Sequence, residues 1–162
     1  MTETIDFTKN EKQKELLDQV LISCKLKDEG ADYNKYYFYG GAIRGGKTYS
    51  ILGILVILCK MYPNSKWVVV RSDFPALSGT TIPSLEKIIG TSSDWKWSRD
   101  KSNYFVRHTN GSKIIFKGEN ITSDPELNDF LGLECNGFFL EQVEELNQKM
   151  WYRALERSGS HY

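Results

Sequence analysis

Residues 41–48 read GAIRGGKT and fill the pattern G-x-x-x-x-G-K-[ST] of a phosphate-binding loop, the Walker A motif. The apolar stretch YYFYGG at 36–41 leads into the loop, and an apolar run at 51–59 follows it. A strand that enters the loop and a helix that leaves it are the context in which this pattern binds phosphate. The stretch therefore predicts an α/β protein with a nucleotide site between a strand and the next helix.

Each residue type in the loop has a chemical reason. The glycines allow a backbone curl that points successive N–H groups at phosphate oxygens, and the following helix adds the positive end of its dipole. Lys47 is predicted to reach the β- and γ-phosphates, and the Thr48 hydroxyl to take a place on Mg²⁺. The predicted nucleotide-binding residues of the loop are Gly41, Ala42, Ile43, Arg44, Gly45, Gly46, Lys47 and Thr48.

Two further polar residues leave more than one interpretation open. Arg44 lies inside the loop, where its guanidinium would meet the γ-phosphate or a neighbouring carboxylate, or face solvent. Gln13 can offer its amide to a donor and an acceptor edge of a base, but a solvated helix glutamine has the same sequence signature.

The stretch FFLEQ at 138–142 is the second candidate for phosphate chemistry. An acid after an apolar strand is also expected in the first turn of a helix, where it opposes the helix dipole. P-loop ATPases, however, hold Mg²⁺ with an acid in this position. Because a phosphate loop lies upstream, Glu141 is predicted to join Thr48 as a metal-binding residue.

Composition and charge describe one globular domain with unevenly distributed charge. The chain has 162 residues, is 40% hydrophobic, and carries 21 Lys or Arg against 21 Asp or Glu. Residues 95–117 hold six Lys or Arg and one Asp, whereas residues 119–146 hold eight Asp or Glu and no Lys or Arg. A basic stretch followed by an acidic one indicates two faces with different partners, although a solvated hairpin would have the same charge pattern.

Neither a membrane span nor a disulfide framework is predicted. The longest apolar run, 51–59, is far shorter than the roughly 20 residues that cross a bilayer. The three cysteines have no CxxC spacing and are predicted to be buried, inert thiols.

Periodicity and turn signals predict strands that alternate with helices, and hence a parallel α/β sheet with one antiparallel hairpin. The predicted elements are a helix at 9–26, a loop at 27–35, a strand at 36–41, a helix at 47–61, a strand at 66–71, a helix at 83–90, a hairpin around Asn110-Gly111 and a helix at 144–157.

Four stretches resemble the ATPase portion of the large terminase subunit of tailed bacteriophages, the motor that packs DNA into proheads. They span Tyr39 to Leu146 in the family's order and spacing, and they read YGGAIRGGKTYS, VVVRSDFPAL, NGSKIIFKG and LGLECNGFFLEQVEEL. The arginine-bearing phosphate loop and the hairpin ahead of the acidic strand are the more specific of these features.

The resemblance implies a RecA-like (ASCE) P-loop NTPase with a mostly parallel sheet, flanking helices and an inserted β-hairpin. It places ATP and Mg²⁺ on Lys47 and Thr48, and it makes Glu141 the Walker B acid. It also implies that Arg44 senses the γ-phosphate and that Gln13 contacts the adenine. The implied activity is ATP hydrolysis coupled to DNA translocation.

The resemblance implies partners as well. These are double-stranded DNA for the complete motor, a small terminase subunit, a portal protein and further copies in a homo-oligomeric ring. No membrane is involved, and the implied location is the cytoplasm of the infected bacterial host.

Two departures from the family pattern affect these expectations. Family members commonly follow the Walker B acid with a water-orienting glutamate, whereas this chain has Gln142, which cannot accept a proton at neutral pH. It can still hold a water in line, and Glu144 or Glu145 could supply the base. The second departure is length: residues 1–162 correspond to an N-terminal ATPase domain that is incomplete at its C-terminus, lacks a central strand, and has no nuclease domain.

Two rival functions remain open at this point. One is a non-hydrolysing nucleotide-binding module, in which Gln142 preserves an ATP-bound state that organises an assembly. The other is a different DNA-handling P-loop NTPase such as a helicase, although the hairpin counts against it.

The phosphate loop generates a direct prediction. Lys47→Ala is expected to abolish most binding of Mg-ATP, because the lysine supplies the charge that meets the β- and γ-phosphates. Isothermal calorimetry measures this, with Lys60→Ala as a control that removes the same charge at the other end of the predicted helix. Equal affinities in the wild type and in Lys47→Ala would contradict the assignment of the loop.

Overall fold

The computed structural model describes residues 6–30, 36–40 and 46–159. Five helices and five strands are numbered here in chain order within that part of the chain. The helices are α1 (Glu11–Asp28), α2 (Lys47–Met61), α3 (Phe74–Ala76), α4 (Ile82–Ile89) and α5 (Gln148–Arg157). The strands are β1 (Lys66–Arg71), β2 (Trp95–Asp100), β3 (Asn103–His108), β4 (Lys113–Gly118) and β5 (Gly137–Leu140).

The strands form one sheet in the order β2-β3-β4-β1-β5. Strand β1 runs parallel to both of its neighbours, β4 and β5, while β2, β3 and β4 form an antiparallel meander. The centre of β1 reads VVV and is fully buried, as expected for a parallel strand that is covered on both faces. The structure confirms the predicted α/β fold, and its antiparallel part has one strand more than the predicted hairpin.

Two apolar cores lie on opposite faces of this sheet. Successive side chains of a strand point to opposite faces, so Val69 packs in the first core while Val68 and Val70 pack in the second. The first core joins the sheet to α2 and α4, and α1 packs against it with half-buried side chains. The second core contains Leu127, Phe130, Cys135, Met150 and Ala154.

Several predicted elements are confirmed. The strand at 66–71 and the end of the apolar helix at Met61 lie where the sequence places them. Helix α4 begins one residue before Pro83 and ends before Gly90, whose φ of 57° fits a glycine after a helix. The thiols of Cys59 and Cys135 are buried, and burial raises the pKa of each to about 12. Cys24 is half-buried, and burial raises its pKa to about 11.

The predicted strand at 36–41 is wrong for residues 36–40, which form no strand, while Gly41 lies outside the described residues. Extended residues become a strand only when their backbone groups pair with a neighbour. Here the side chains make the contacts instead. The rings of Tyr36 and Phe38 lie 5.9 and 5.4 Å from that of Trp151 in α5, and the Tyr37 hydroxyl donates to the carbonyl of Gln19 in α1 at 2.8 Å.

Two helix starts differ from prediction because asparagine side chains cap them. Asn10 accepts hydrogen bonds from the backbone N–H groups of Lys12 and Gln13, so α1 begins at Glu11. Asn147 accepts from the N–H of Lys149, so α5 begins at Gln148 rather than at 144, and a single 3₁₀ turn occupies 143–145.

The turn between β3 and β4 is anchored to the end of α2. Gly111 has a φ of 92°, in the left-handed region that favours glycine, and a Cβ there would have to displace the Asn64 side chain, whose Oδ1 would lie 2.1 Å away. Fully buried Ser112 places its hydroxyl 2.9 Å from the Cys59 carbonyl and 2.8 Å from that of Tyr62. Carbonyls at a helix end lack partners within the helix, and Ser112 supplies one.

Ser112→Ala is therefore expected to lower the free energy of unfolding by about 0.5–1.5 kcal/mol, because a buried hydrogen bond is lost while both carbonyls keep another donor. Chemical denaturation with the midpoint and slope fitted together measures it. Ser98→Ala, at a partly exposed position of β2, should change stability by less than about 0.5 kcal/mol. Similar effects at both positions would contradict the anchoring role of Ser112.

Candidate functional site

The candidate site lies at one edge of the sheet, where the carboxyl ends of β1, β4 and β5 meet. These three strands are parallel, so the residues that end or follow them come together at the same edge. Arg71 ends β1, and Glu141 directly follows β5. Ligands of open α/β sheets bind at this edge.

Glu141 is the centre of the site. Its side chain is buried, with 6% of the residue exposed. The Thr48 hydroxyl donates to Glu141 Oε1 at 2.5 Å, and the Thr81 hydroxyl donates to Oε2. A buried carboxylate needs such donors because the loss of hydration is otherwise costly. The two threonines thus stabilise a charged acid beside the start of α2.

The start of α2 holds Lys47 and Thr48, two of the predicted nucleotide-binding residues. Gly46, its N-cap, has a φ of 69° in the left-handed region, and Lys47 and Thr48 are the first two helical residues. Lys47 is half-buried. A Cβ built on Gly46 would lie 3.2 Å from Gln13 Nε2, which places the Gln13 amide against the end of the phosphate loop.

A second polar network lies next to Glu141. Arg71 is 8% exposed, and its guanidinium donates to the Thr80 hydroxyl at 2.9 Å and to Glu145 Oε2 at 3.2 Å. The Arg71 Nε atom is buried and has no hydrogen-bond partner among the described residues. Thr80 and Thr81 belong to a π-helical segment, Leu77–Thr81, between α3 and α4. One short segment therefore contacts both acids, Glu141 directly and Glu145 through Arg71.

Gln142 turns the chain at the end of β5. Its φ of 54° lies in the left-handed region, which is uncommon for a residue other than glycine. Its carbonyl accepts a hydrogen bond from the Glu145 N–H at 2.9 Å and closes the 3₁₀ turn. The residue is exposed, unlike Glu141.

The structure brings Thr48, Glu141 and Gln13 together at the start of α2, and their predicted roles stay predictions. Gly41, Ala42, Ile43, Arg44 and Gly45 lie outside the described residues, and their predicted roles stay predictions. Glu145 lies close to the site but pairs with Arg71, and Glu144 is exposed.

Sequence reasoning missed Thr81 and Arg71. Arg71 had a usable signal, because it ends a strand that is apolar up to that point and parallel strands direct their ends to the site. Thr81 had none, since the contact with Glu141 joins residues 60 positions apart.

The residues present fit a magnesium ion. Thr48 and Glu141 offer a hydroxyl and a carboxylate oxygen side by side, and Mg²⁺ takes oxygen ligands. Within the described ranges no group of three or more His, Cys, Asp or Glu side chains forms a metal cluster. Mg²⁺ at nucleotide sites needs none, because one or two carboxylates, water and substrate phosphates hold it.

Comparisons with solved structures agree on the fold. The chain is similar to the large terminase from the thermophilic bacteriophage D6E in two crystal forms, with TM-scores of 0.55 and 0.56 and 17% identity in each. The match covers 72% of this chain and 28% and 29% of the terminase chains. This chain therefore has the fold of that portion of a large terminase, and it spans less than a third of the protein it resembles.

A large terminase ATPase domain from a Thermus phage is also similar, with a TM-score of 0.49 and 13% identity over 70% of this chain and 50% of that domain. No protein-family model matches the sequence, and no curated protein matches it. None of the helices in the described part of the chain has the length and apolar character needed to cross a membrane.

The geometry of the site predicts a structural role for Thr81. Thr81→Val keeps the side-chain shape but removes a hydrogen bond to a buried carboxylate, so the free energy of unfolding should fall by about 1.5–3 kcal/mol. Thr81→Ser retains the hydroxyl and serves as the control. Urea denaturation of the three proteins at neutral pH measures the difference. Equal losses in both variants would show that the methyl group, not the hydroxyl, matters.

Proposed function

We propose that the chain is the ATP-binding and ATP-hydrolysing domain of a DNA-packaging motor of the large terminase type. The observation that carries this proposal is the 2.5 Å hydrogen bond from Thr48 to Glu141. It joins the end of the phosphate-loop motif to the acid at the end of a parallel strand, across 93 residues of sequence. The terminase fold of the same residues supports the specific class.

In this proposal, the start of α2 binds the phosphates of ATP. Lys47 lies at the helix N-terminus, where the helix dipole also favours negative charge. Thr48 and Glu141 hold Mg²⁺, which neutralises charge on the phosphates when bound. Gln13, beside Gly46, faces the base, and Arg44 meets the γ-phosphate.

The remaining proposed catalytic residues are Gln142 and Glu145. Gln142 follows the metal-binding acid and carries an amide that can orient water without accepting its proton. Glu145 is one turn further on, where Arg71 fixes its carboxylate. We assign Glu145 the role of base, positioned by Arg71 and Thr80.

The family-level assignment extends to the assembly. We propose that residues 1–162 form the N-terminal ATPase domain of a motor that translocates double-stranded DNA in the cytoplasm of an infected bacterial host. Its proposed partners are a small terminase subunit, a portal protein and other copies of the chain in a ring. The chain matches only 28–29% of the bacteriophage D6E terminase, so these partners and the complete activity depend on the proposal.

A second function is favoured by one observation. Gln142 is exposed, has a left-handed backbone and carries no carboxylate, so the position after the metal-binding acid lacks a base. A module that binds ATP without hydrolysing it, and thereby organises an assembly, would need no base.

Turnover measurements distinguish the two functions. Gln142→Glu should lower the rate of ATP hydrolysis at least about tenfold, because Glu145 already supplies the base and the substitution removes the amide that orients the attacking water. Glu141→Gln should abolish magnesium-dependent turnover. Steady-state phosphate release measures both, and Gln148→Glu is the control for an added charge at the exposed start of α5.

A rise in the rate of Gln142→Glu would show instead that the position after Glu141 needs a carboxylate base and that Glu145 does not supply it. Binding of Mg-ATP by the wild type without turnover by any variant would contradict the hydrolytic function and favour the assembly module.

A further inference from the structure

Four cations stand in one row across the sheet. Strand pairing places Lys96 of β2 opposite Arg107 of β3, Arg107 opposite Lys113 of β4, and Lys113 opposite Lys66 of β1. We call these four residues the cation row. Directly opposite residues lie on the same face of a sheet, so all four side chains belong to one face.

That face is the one away from α2 and α4. Val106 and Ile114, next to the row on β3 and β4, are fully buried in the first core, so Arg107 and Lys113 point to the other side. The Lys113 Nζ atom lies 4.6 Å from the ring centroid of Phe105, so Lys113 and Phe105 are on the same face of the sheet. The second core, which covers this face over β1 and β5, includes no described residue of β2 or β3.

Protein charges do not neutralise the cation row. None of its four members forms an ion pair with any described residue. Burial, and then the neighbouring charges of Arg107 and Lys66, lower the pKa of Lys113. Like charges directly opposite each other destabilise a sheet. The row is therefore a feature that folding alone disfavours and that an external anion would stabilise.

The linear arrangement of the row suits a linear polyanion. Neighbouring strands are about 4.8 Å apart, so the four cations extend over about 14 Å. One strand of B-form DNA carries a charge about every 3.4 Å along the helix axis, which gives about four phosphates over that length. A duplex therefore offers at least as many phosphates over this length as the row has cations. We propose that this open face of β2, β3 and β4 binds the phosphate backbone of double-stranded DNA without reading its sequence.

The acidic stretch 119–146 of a second copy is the weaker partner. Most of its carboxylates already accept hydrogen bonds or ion pairs within the chain. These are Glu119 on the Asn147 N–H, Asp124 on the N–H groups of 128 and 129, Glu126 on Lys149, Glu141 on two threonines and Glu145 on Arg71. Few acids remain to meet four cations.

The inference rests on the proposed packaging function, and it adds a location for DNA that is separate from the nucleotide site. The cation row includes no residue of α2, of the π-helical segment or of the turn after β5. Removing its charges should therefore leave binding of Mg-ATP unchanged.

The test is the salt dependence of binding to a fluorescent duplex of mixed sequence, measured by anisotropy between about 50 and 200 mM salt. Four phosphate contacts give a slope of log affinity against log salt of about −3.6, which is an affinity loss of about 100-fold over this range. Lys96→Gln with Arg107→Gln should flatten the slope by about 1.8, so that the loss becomes about tenfold smaller. The control, Lys60→Gln with Lys87→Gln, removes two exposed positive charges from helices on the other face.

An unchanged slope in the row variant, or equal changes in the row variant and the control, would overturn the proposal. So would weakened self-association of the row variant in sedimentation with no change in DNA affinity, because the partner would then be a second copy. Calorimetry with Mg-ATP on the same proteins separates the two proposals. A flattened slope without ATP binding by the wild type would support the DNA face while contradicting the proposed ATPase.

Discussion

The carboxylate of Glu141 is buried, and burial of a carboxylate is tolerated only when hydrogen-bond donors replace water. Both donors are hydroxyl groups from distant parts of the chain, Thr48 at the start of α2 and Thr81 ahead of α4. One acid thus fixes the position of both helices relative to the end of β5. Since Arg71 joins Glu145 to the same π-helical segment, side-chain hydrogen bonds connect that segment to the ends of both β1 and β5.

The sheet supplies the geometry on which this network depends. Strand β1 pairs in parallel with β4 on one side and with β5 on the other, so residues that follow these strands emerge together. The buried side chains at the centre of β1 pack into one core on each face of the sheet. The two faces differ in the elements that cover them. Helices that contribute to the candidate nucleotide site cover one face. The other is covered only over β1, β5 and part of β4. The cation row crosses its open part at Lys96, Arg107 and Lys113 and ends at half-buried Lys66, the first residue of β1.

Local patterns predicted most of the fold and half of the candidate site. The phosphate loop, helix α2, strand β1 and Glu141 each have a signal within a few residues, namely glycine spacing, apolar periodicity or an acid that ends a strand. Strand pairing and hydroxyl contacts have no such signal. YYFYG reads as a strand, yet its rings pack on Trp151 and on α1, and Thr81 reaches Glu141 only because the π-helical segment directs it there.

Because of the π-helical segment, the geometry of the site also depends on the number of residues between β1 and α4. A π-helix has more residues per turn than an α-helix, because its hydrogen bonds join residues five apart. Deletion of one residue within Leu77–Thr81 would therefore rotate every preceding position relative to α4 by roughly a quarter of a turn. After such a deletion, Thr80 could not contact Arg71 while Thr81 contacts Glu141. The site would be lost although none of its side chains had been replaced. The number of residues in this segment, and not only their identity, therefore sets the direction in which the two threonine side chains point. Related sequences that keep the site should differ here by substitution and not by insertion or deletion.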